Sequence, residues 1–338
     1  MATQLAQTPD TIESALSEAR VALLIIYVND LAESRAFYES QLGLRVIEAD
    51  EASVKLDVGQ VILTLHRASD YGIELVGRRD DSSDVVFLVD DVNAVRSDLE
   101  ARGVTFVRRR TYEIGLVTDF YDPNGHRLMI YQPSRTALGW PSAEKLREVW
   151  RLSGVGGSEL IGPPSRESTA ASGLDGKPLA YLFMFVPSSD DALAFYQGAL
   201  GLRAIERVHC CNPACPPEEK GIVKYDVGGM LLTTHHVHRS PVVDDFGRIY
   251  SPRSVDTAHT KGIAPVFLVH DIRDLTERLA QRGVAFSDRS VVKSQIGEIA
   301  RFEATTGHGF FLYEPWAPAL TWPSGVKLTQ ILEARGGV

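Results

Sequence analysis

The chain is written twice, and that duplication limits its fold more than any other feature. Phe37-Tyr38 followed by Leu42-Gly43-Leu44-Arg45 returns as Phe195-Tyr196 followed by Leu200-Gly201-Leu202-Arg203. Val86-Phe87-Leu88-Val89 with Asp91 recurs as Val266-Phe267-Leu268-Val269 with Asp271, and Gly125-His126 as Gly307-His308. The tails match too: Trp140-Pro141-Ser142 with Lys145-Leu146 reappears as Trp322-Pro323-Ser324 with Lys327-Leu328. A unit this long is a duplicated domain and not a solenoid repeat. The 338 residues also fit two domains at roughly 150 residues each.

Within a copy, the pattern starts, breaks and restarts. Val21 to Val28 is an apolar run of strand length, and Asn29 or Asp30 is placed to cap the helix that follows. Three strand-like pieces come next, Arg45 to Glu48, Ser53 to Val58 and Val61 to His66, the last two joined by Gly59-Gln60. The second start gives a strand over Val85 to Val89, a helix over Val92 to Arg102 ended by Gly103, and three more strands, with Asp122-Pro123-Asn124-Gly125 turning the last hairpin. The chain therefore carries four strand-helix-three-strand (βαβββ) modules, an α+β class. The expected layout is an N-terminal extension over 1–20 with a short helix, a first domain over 21–135, a helix and Gly/Ser/Pro-rich linker over 136–177, a second domain over 178–316, and a C-terminal helix over 317–338. Each domain is expected to close its own curved sheet into a cup. In each Trp-Pro-Ser motif the Ser is expected to cap a helix and the Trp to anchor it.

Composition narrows the function classes. A formal charge of −9, with no basic run longer than Arg108-Arg109-Arg110, leaves no electrostatic footprint for nucleic acid. No apolar run approaches the roughly 20 residues that span a bilayer, and Met1 to Asp10 has no leader pattern, so a cytoplasmic protein is expected. Cys210, Cys211 and Cys215 lie in one stretch, unlike the dispersed framework of a secreted disulfide protein. Small molecules are the expected partners, with the chain acting as a monomer or a homodimer.

Four such modules, with Phe-Tyr and Leu-Gly-Leu after the first helix and Asp-Pro-Asn-Gly-His before the last strand, resemble the vicinal oxygen chelate superfamily. That group includes glyoxalase I, extradiol dioxygenases and bleomycin-resistance proteins. The resemblance implies paired modules whose sheets curl into cups, with His, Gln or Glu from the strands holding a divalent ion in metal-using members. It is informative for fold and poor for activity. Laid on that pattern, the ligand positions are Leu23, Leu63, Asp84 and Met129 in the first copy and Tyr181, Leu232, Ala264 and Phe311 in the second. A divalent ion needs three or more oxygen, nitrogen or thiolate donors, so neither copy is expected to hold a metal at the usual place.

The offset between the copies is 158 at Phe37/Phe195, 169 at His66/His235 and 180 at Val86/Val266, so the second copy gains eleven residues twice. The first insertion carries His209, Cys210, Cys211 and Cys215, which with His235 are candidate ligands for a displaced metal. The second lies between His238 and Gly262. Long loops in compact domains are often lids, so the second-copy cup is the expected site. Strand alternation puts His235 and His236 on opposite faces, and the register favours His236 inside. Tyr181, His236 and Tyr313 are the candidate proton donors or acceptors. Phe183, Phe185, Met230, Leu232 and Phe311 are candidate walls for a hydrophobic or aromatic, oxygenated ligand. Two functions stay open: an enzyme of lyase, isomerase or dioxygenase type, and a metal-free sequestering protein of the bleomycin-resistance type.

Overall fold

The computed structural model describes residues 15–16, 19–75, 80–153, 160, 173–209, 221–237, 242–243, 245, 249–250, 261–287 and 291–333. The four modules are β1 to β4 (Arg20–Val28, Val46–Ala49, Ser53–Asp57, Ile62–Arg67), β5 to β8 (Asp80–Leu88, Phe106–Tyr112, Gly115–Tyr121, His126–Pro133), β9 to β12 (Leu179–Val186, Arg203–Val208, Ile222–Asp226, Leu231–His236) and β15 to β18 (Ile263–Leu268, Val292–Lys293, Gly297–Glu303, Gly309–Pro315). Two short strands, β13 (Val242–Val243) and β14 (Ile249–Tyr250), pair between the last two modules. Each module has its helix: α1 (Leu31–Arg35), α2 (Val92–Ala101), α4 (Ser189–Leu193) and α5 (Ile272–Gln281), while α3 (Ala143–Leu152) and α6 (Pro323–Glu333) follow the two copies.

The two copies do not close their own cups. One eight-stranded sheet runs β10-β11-β12-β9-β5-β8-β7-β6 and the other β16-β17-β18-β15-β1-β4-β3-β2. The second and third modules thus form a middle sheet, and the first and fourth a terminal sheet. The expected pairing within each copy is corrected by two antiparallel seams, β5 on β9 and β1 on β15. The physical reason lies in the strands themselves. β1, β9 and β15 are apolar on both faces, and β5 is so from Val85 onward, so each can be the centre of a sheet buried on both sides, and either partner satisfies it locally.

One large core occupies the space between the sheets. Leu24, Ile26 and Val28 of β1, Val85 and Phe87 of β5, and Leu182 and Met184 of β9 all point into it, with the module helices packed between. The repeat motifs fasten these layers. The Tyr38 hydroxyl donates to Asp122 at 3.1 Å, joining the helix after β1 to the Asp-Pro-Asn-Gly turn of the middle sheet. Burial and the Asp122 charge push the Tyr38 phenol well above its ordinary range, so it stays a neutral donor. His126 Nε2 meets the Tyr27 carbonyl at 2.7 Å, and His308 Nε2 meets the Ser82 carbonyl at 3.2 Å, so each last-hairpin histidine clasps the opposite sheet. Gly43 and Gly201 both have φ of 74°, which explains the Gly of each Leu-Gly-Leu: a Cβ is disfavoured in the left-handed turn that leaves the helix. Asp30 and not Asn29 caps α1, accepting from the Ala32 and Glu33 amides.

The concave faces point away from this core, one on each side of the molecule. No described helix is long and apolar enough to cross a membrane. Most of the extension over 1–20 and of the linker over 151–177 lies outside the described residues.

Candidate functional site

The middle cup is floored by alternate residues of its strands, those between the positions that enter the core. Tyr181, Phe183 and Phe185 come from β9, Met129 and Tyr131 from β8, and Leu231, Thr233 and His235 from β12. The rings form a continuous surface: Tyr131 to Tyr181 at 6.0 Å, Tyr181 to Phe183 at 5.5 Å, and Phe185 to His235 at 5.3 Å between centroids. Leu146 and Trp150 of α3 close one end. At the other end sits a buried charge network. Arg127 grips Asp84 through two nitrogens, one at 2.6 Å, and lies 3.8 Å from Asp119, which Arg108 holds at 2.6 Å. Asp84 and Asp119 hold Arg127 firmly protonated despite burial.

A second polar unit stands at the wall. Lys224 pairs with Glu206 at 2.7 Å and donates to the Ser142 hydroxyl at 2.9 Å, while Glu206 accepts the Ser142 amide at 2.8 Å. Glu206 thus caps the start of α3 from a neighbouring strand, and the Ser142 side chain makes no capping bond of its own. This corrects the expected Ser cap. Burial, with Tyr131 and Glu206 nearby, pushes the Tyr181 phenol well above its ordinary range, against the opposing bond to Ser142. Near neutral pH Tyr181 is therefore a hydrogen-bond donor and not a base. The terminal sheet repeats the unit: Lys55 holds Glu48 at 2.7 Å and Ser324 at 3.0 Å, and Glu48 takes the Ser324 amide at 3.1 Å. Burial raises the Glu48 carboxyl, but the bonds from Lys55 and Ser324 outweigh it and leave it below its ordinary range.

A family model described as the Glyoxalase/Bleomycin resistance protein/Dioxygenase superfamily matches residues 20–130 and 179–292. The chain belongs to this superfamily. Among solved structures it is similar to glyoxalase I from Zea mays, at 14% identity and a TM-score of 0.55 over 94% of this chain and 97% of that one. It is also similar to a candidate dioxygenase from Bacillus subtilis, at 13% identity and a TM-score of 0.50 over 88% of this chain and 86% of that one. At these identities the likeness shows the fold alone. No curated protein sequence matches the chain.

The superfamily's metal position does not fit the residues present. In the middle cup it is bounded by Asp84, Met129, Tyr181 and the Leu231–Thr233 step, and the one carboxylate is committed to Arg127. In the terminal cup it is bounded by Leu23, Ala264, Phe311 and the Ile62–Thr64 step. These sets lack the three donors a divalent ion needs. Among the described residues no group of three or more His, Cys, Asp or Glu is placed to hold a metal.

The residues singled out from the sequence are divided among three places. Tyr181, Phe183 and Phe185 share the middle cup. Phe311 and Tyr313 lie in the terminal cup, where the Tyr313 hydroxyl donates to the Ile296 carbonyl at 3.0 Å, as Tyr131 does to Ile114 at 2.8 Å in the middle cup. Met230 and Leu232 point into the core between the sheets, as does Leu63 of the first copy. The expected register on β4 and β12 is one residue off, because the apolar Val61, Leu63 and Leu65 face the core and hand the cup to Ile62, Thr64 and His66. The same slip exchanges the histidines. His235 faces the cup, with Nδ1 donating to the His236 carbonyl at 2.6 Å, while His236 packs over Gly221, where a Cβ would stand 1.5 Å from its Nδ1. His209 is exposed at the end of β10, and Cys210, Cys211 and Cys215 lie outside the described residues.

Sequence reasoning missed the Lys-Glu-Ser unit, although its signal was present. Glu48 recurs as Glu206 at the offset of 158, and Lys55 as Lys224 at 169. The second insertion reaches the edge of the middle sheet by a route no strand pattern showed. Asp245 takes the Thr111 amide at 3.1 Å and the Thr111 hydroxyl at 2.8 Å, so the segment that leaves β12 touches β6, the far edge of the middle sheet.

Proposed function

We propose that the middle cup binds a hydrophobic, aromatic small molecule carrying at least one oxygen, without a divalent ion at the superfamily position, in the manner of a sequestering protein of the bleomycin-resistance type. The observation that supports this reading is the aromatic floor of Tyr181, Phe183 and Phe185 beside a buried Thr233 hydroxyl that has no partner among the described residues. Such a surface offers stacking area and a few fixed polar groups, the usual make-up of a small-molecule pocket. The groups that could otherwise move protons are committed: Tyr181 is held neutral, Lys224 is paired with Glu206, and Arg127 with Asp84.

One observation favours an enzyme of lyase, isomerase or dioxygenase type instead. His235 faces the cup between Phe183 and Phe185, at 6.5 and 5.3 Å, and an imidazole there is suited to proton exchange with a bound substrate. The separating experiment is a thermal-shift screen of phenols, quinones and diketones with and without chelator, followed by product analysis on every hit. Chelator-insensitive stabilisation, lost in Phe183→Ala and unaccompanied by product, supports the binder. Product formation that His235→Ala abolishes while stabilisation persists selects the enzyme. Stabilisation that vanishes with chelator overturns the metal-free reading.

A further inference from the structure

We infer that Arg110 makes the middle cup selective for an aromatic carboxylate: the ligand's oxygen enters as an anion, and this guanidinium is the specificity-determining group. The inference rests on the middle-cup reading and narrows it to one chemical class.

The strand register fixes where Arg110 stands. Residues paired across neighbouring strands project to the same face of a sheet. Arg110 on β6 pairs with Val117 on β7, and Val117 with Tyr131 on β8, and both partners belong to the cluster around Tyr181. Arg110 therefore lies on the concave face, about 10 Å from Tyr131 between backbones at the usual strand spacing. The aromatic floor extends to it without a gap. Tyr112 pairs with Gly115, where a Cβ would stand 2.9 Å from the Tyr131 ring, and Tyr131 lies 6.0 Å from Tyr181. The Arg110 guanidinium sits over Tyr112, 4.6 Å from the ring centroid. Stacking uses the face of the guanidinium and leaves its planar fork of N–H groups for a carboxylate.

Charge singles Arg110 out. The other cations of this face are answered, Arg108 by Asp119, Arg127 by Asp84 and Lys224 by Glu206. Half-buried Arg110 has an aromatic ring beneath it and no ion pair among the described residues. The duplicate copy shows that the scaffold does not require it. In the terminal sheet the same row reads Val292, Ile299 and Tyr313, and the Tyr313 hydroxyl keeps the bond to Ile296 that Tyr131 makes to Ile114. Ser294 takes the place of Tyr112. The tyrosine and the aliphatic residue of the row are thus common to both sheets, while the cation and the ring under it are present in the middle cup alone. A single unanswered guanidinium beside an aromatic floor matches a ligand with one negative charge on an aromatic body.

Isothermal titration of the full chain with 2-naphthoate and 2-naphthamide tests this, since the two are alike in shape and differ in charge at neutral pH. Naphthoate is expected to bind roughly tenfold more tightly or better, by a margin that shrinks as salt is raised. Arg110→Met should lower naphthoate to the affinity of the amide and leave the amide within about twofold of its wild-type value, whereas Arg110→Lys should keep part of the preference. Phe183→Ala should weaken both probes. Equal affinities in the wild type, or a preference that survives in Arg110→Met, would overturn the inference and leave the cup as an aromatic site. If neither probe binds, or if Phe183→Ala leaves both unchanged, the middle-cup reading fails and the inference falls with it.

Discussion

The two cups are built from matching strands, yet they place their phenols differently. At the three cup-facing positions of the first strand the middle cup has Tyr181, Phe183 and Phe185, and the terminal cup has Leu23, Ile25 and Tyr27. The phenol beside the Lys-Glu-Ser unit is bonded, to Ser142, whereas the one at the other end of the strand has no partner among the described residues. The far end of the middle cup is instead filled by Asp84, Arg127, Asp119 and Arg108, where the terminal cup has Ala264, Gly309 and Arg301 at the first three of these places. What both cups share, the lysine, glutamate and serine that fix a helix to the sheet, belongs to the scaffold. What differs is the chemistry offered to a ligand, as expected when one fold hosts many sites.

The contrast can be broken most forcefully at the charge network. Arg127→Leu strands the buried Asp84 carboxylate and is expected to cost about 3–5 kcal/mol in urea denaturation, whereas Gly309→Ala at the matched position, whose Cβ meets nothing closer than 4.0 Å, should stay within about 0.5 kcal/mol. A loss below about 1 kcal/mol for Arg127→Leu would mean the network is not structural. The Lys-Glu-Ser units give a smaller, graded difference. Glu206 is fully buried and Glu48 is not, with side-chain exposures of 0% and 16%. Lys224→Met should therefore cost about 3 kcal/mol and Lys55→Met about 1 kcal/mol, and equal losses would refute the burial argument.

The smallest effect is a pH dependence confined to the terminal cup. Burial, helped by Lys55, lowers the His66 pKa from 6.5 to about 4. A histidine whose folded pKa lies below its unfolded value takes up protons more readily when unfolded. Its stabilising contribution is thus complete above pH 6.5 and is lost as the pH falls from 6.5 towards about 4. The loss is on the order of 1–2 kcal/mol, since His66 is only partly shielded from water. An NMR titration of the His66 ring should find its midpoint well under that of a free imidazole, and a midpoint near 6.5 would remove the effect.

Much of the architecture was legible because it is local. The runs at Val21–Val28 and Val85–Val89, a cap at Asn29 or Asp30, and the Gly103 that ends a helix are each dictated within a few residues. The register of β4 and β12 was not. Ile62-Leu63-Thr64-Leu65 and Leu231-Leu232-Thr233-Thr234 are apolar or uncharged at adjacent positions, so neither face is marked by polarity and a slip of one residue leaves no visible penalty. That slip moved His236, Leu232 and Leu63 to the wrong side and concealed Thr64, Thr233 and His235 as cup residues.

Duplication, module type, and strand and helix identity follow from the order of residues, because each rests on short-range propensity or on the recurrence of the same segments. The partner each module chose does not, since β1 can present the same apolar edge to β5 or to β15 and only the closing of the interlayer core selects β15. For that reason the candidate residues Tyr181 and Tyr313, on one copy of the sequence, face opposite sides of the folded molecule.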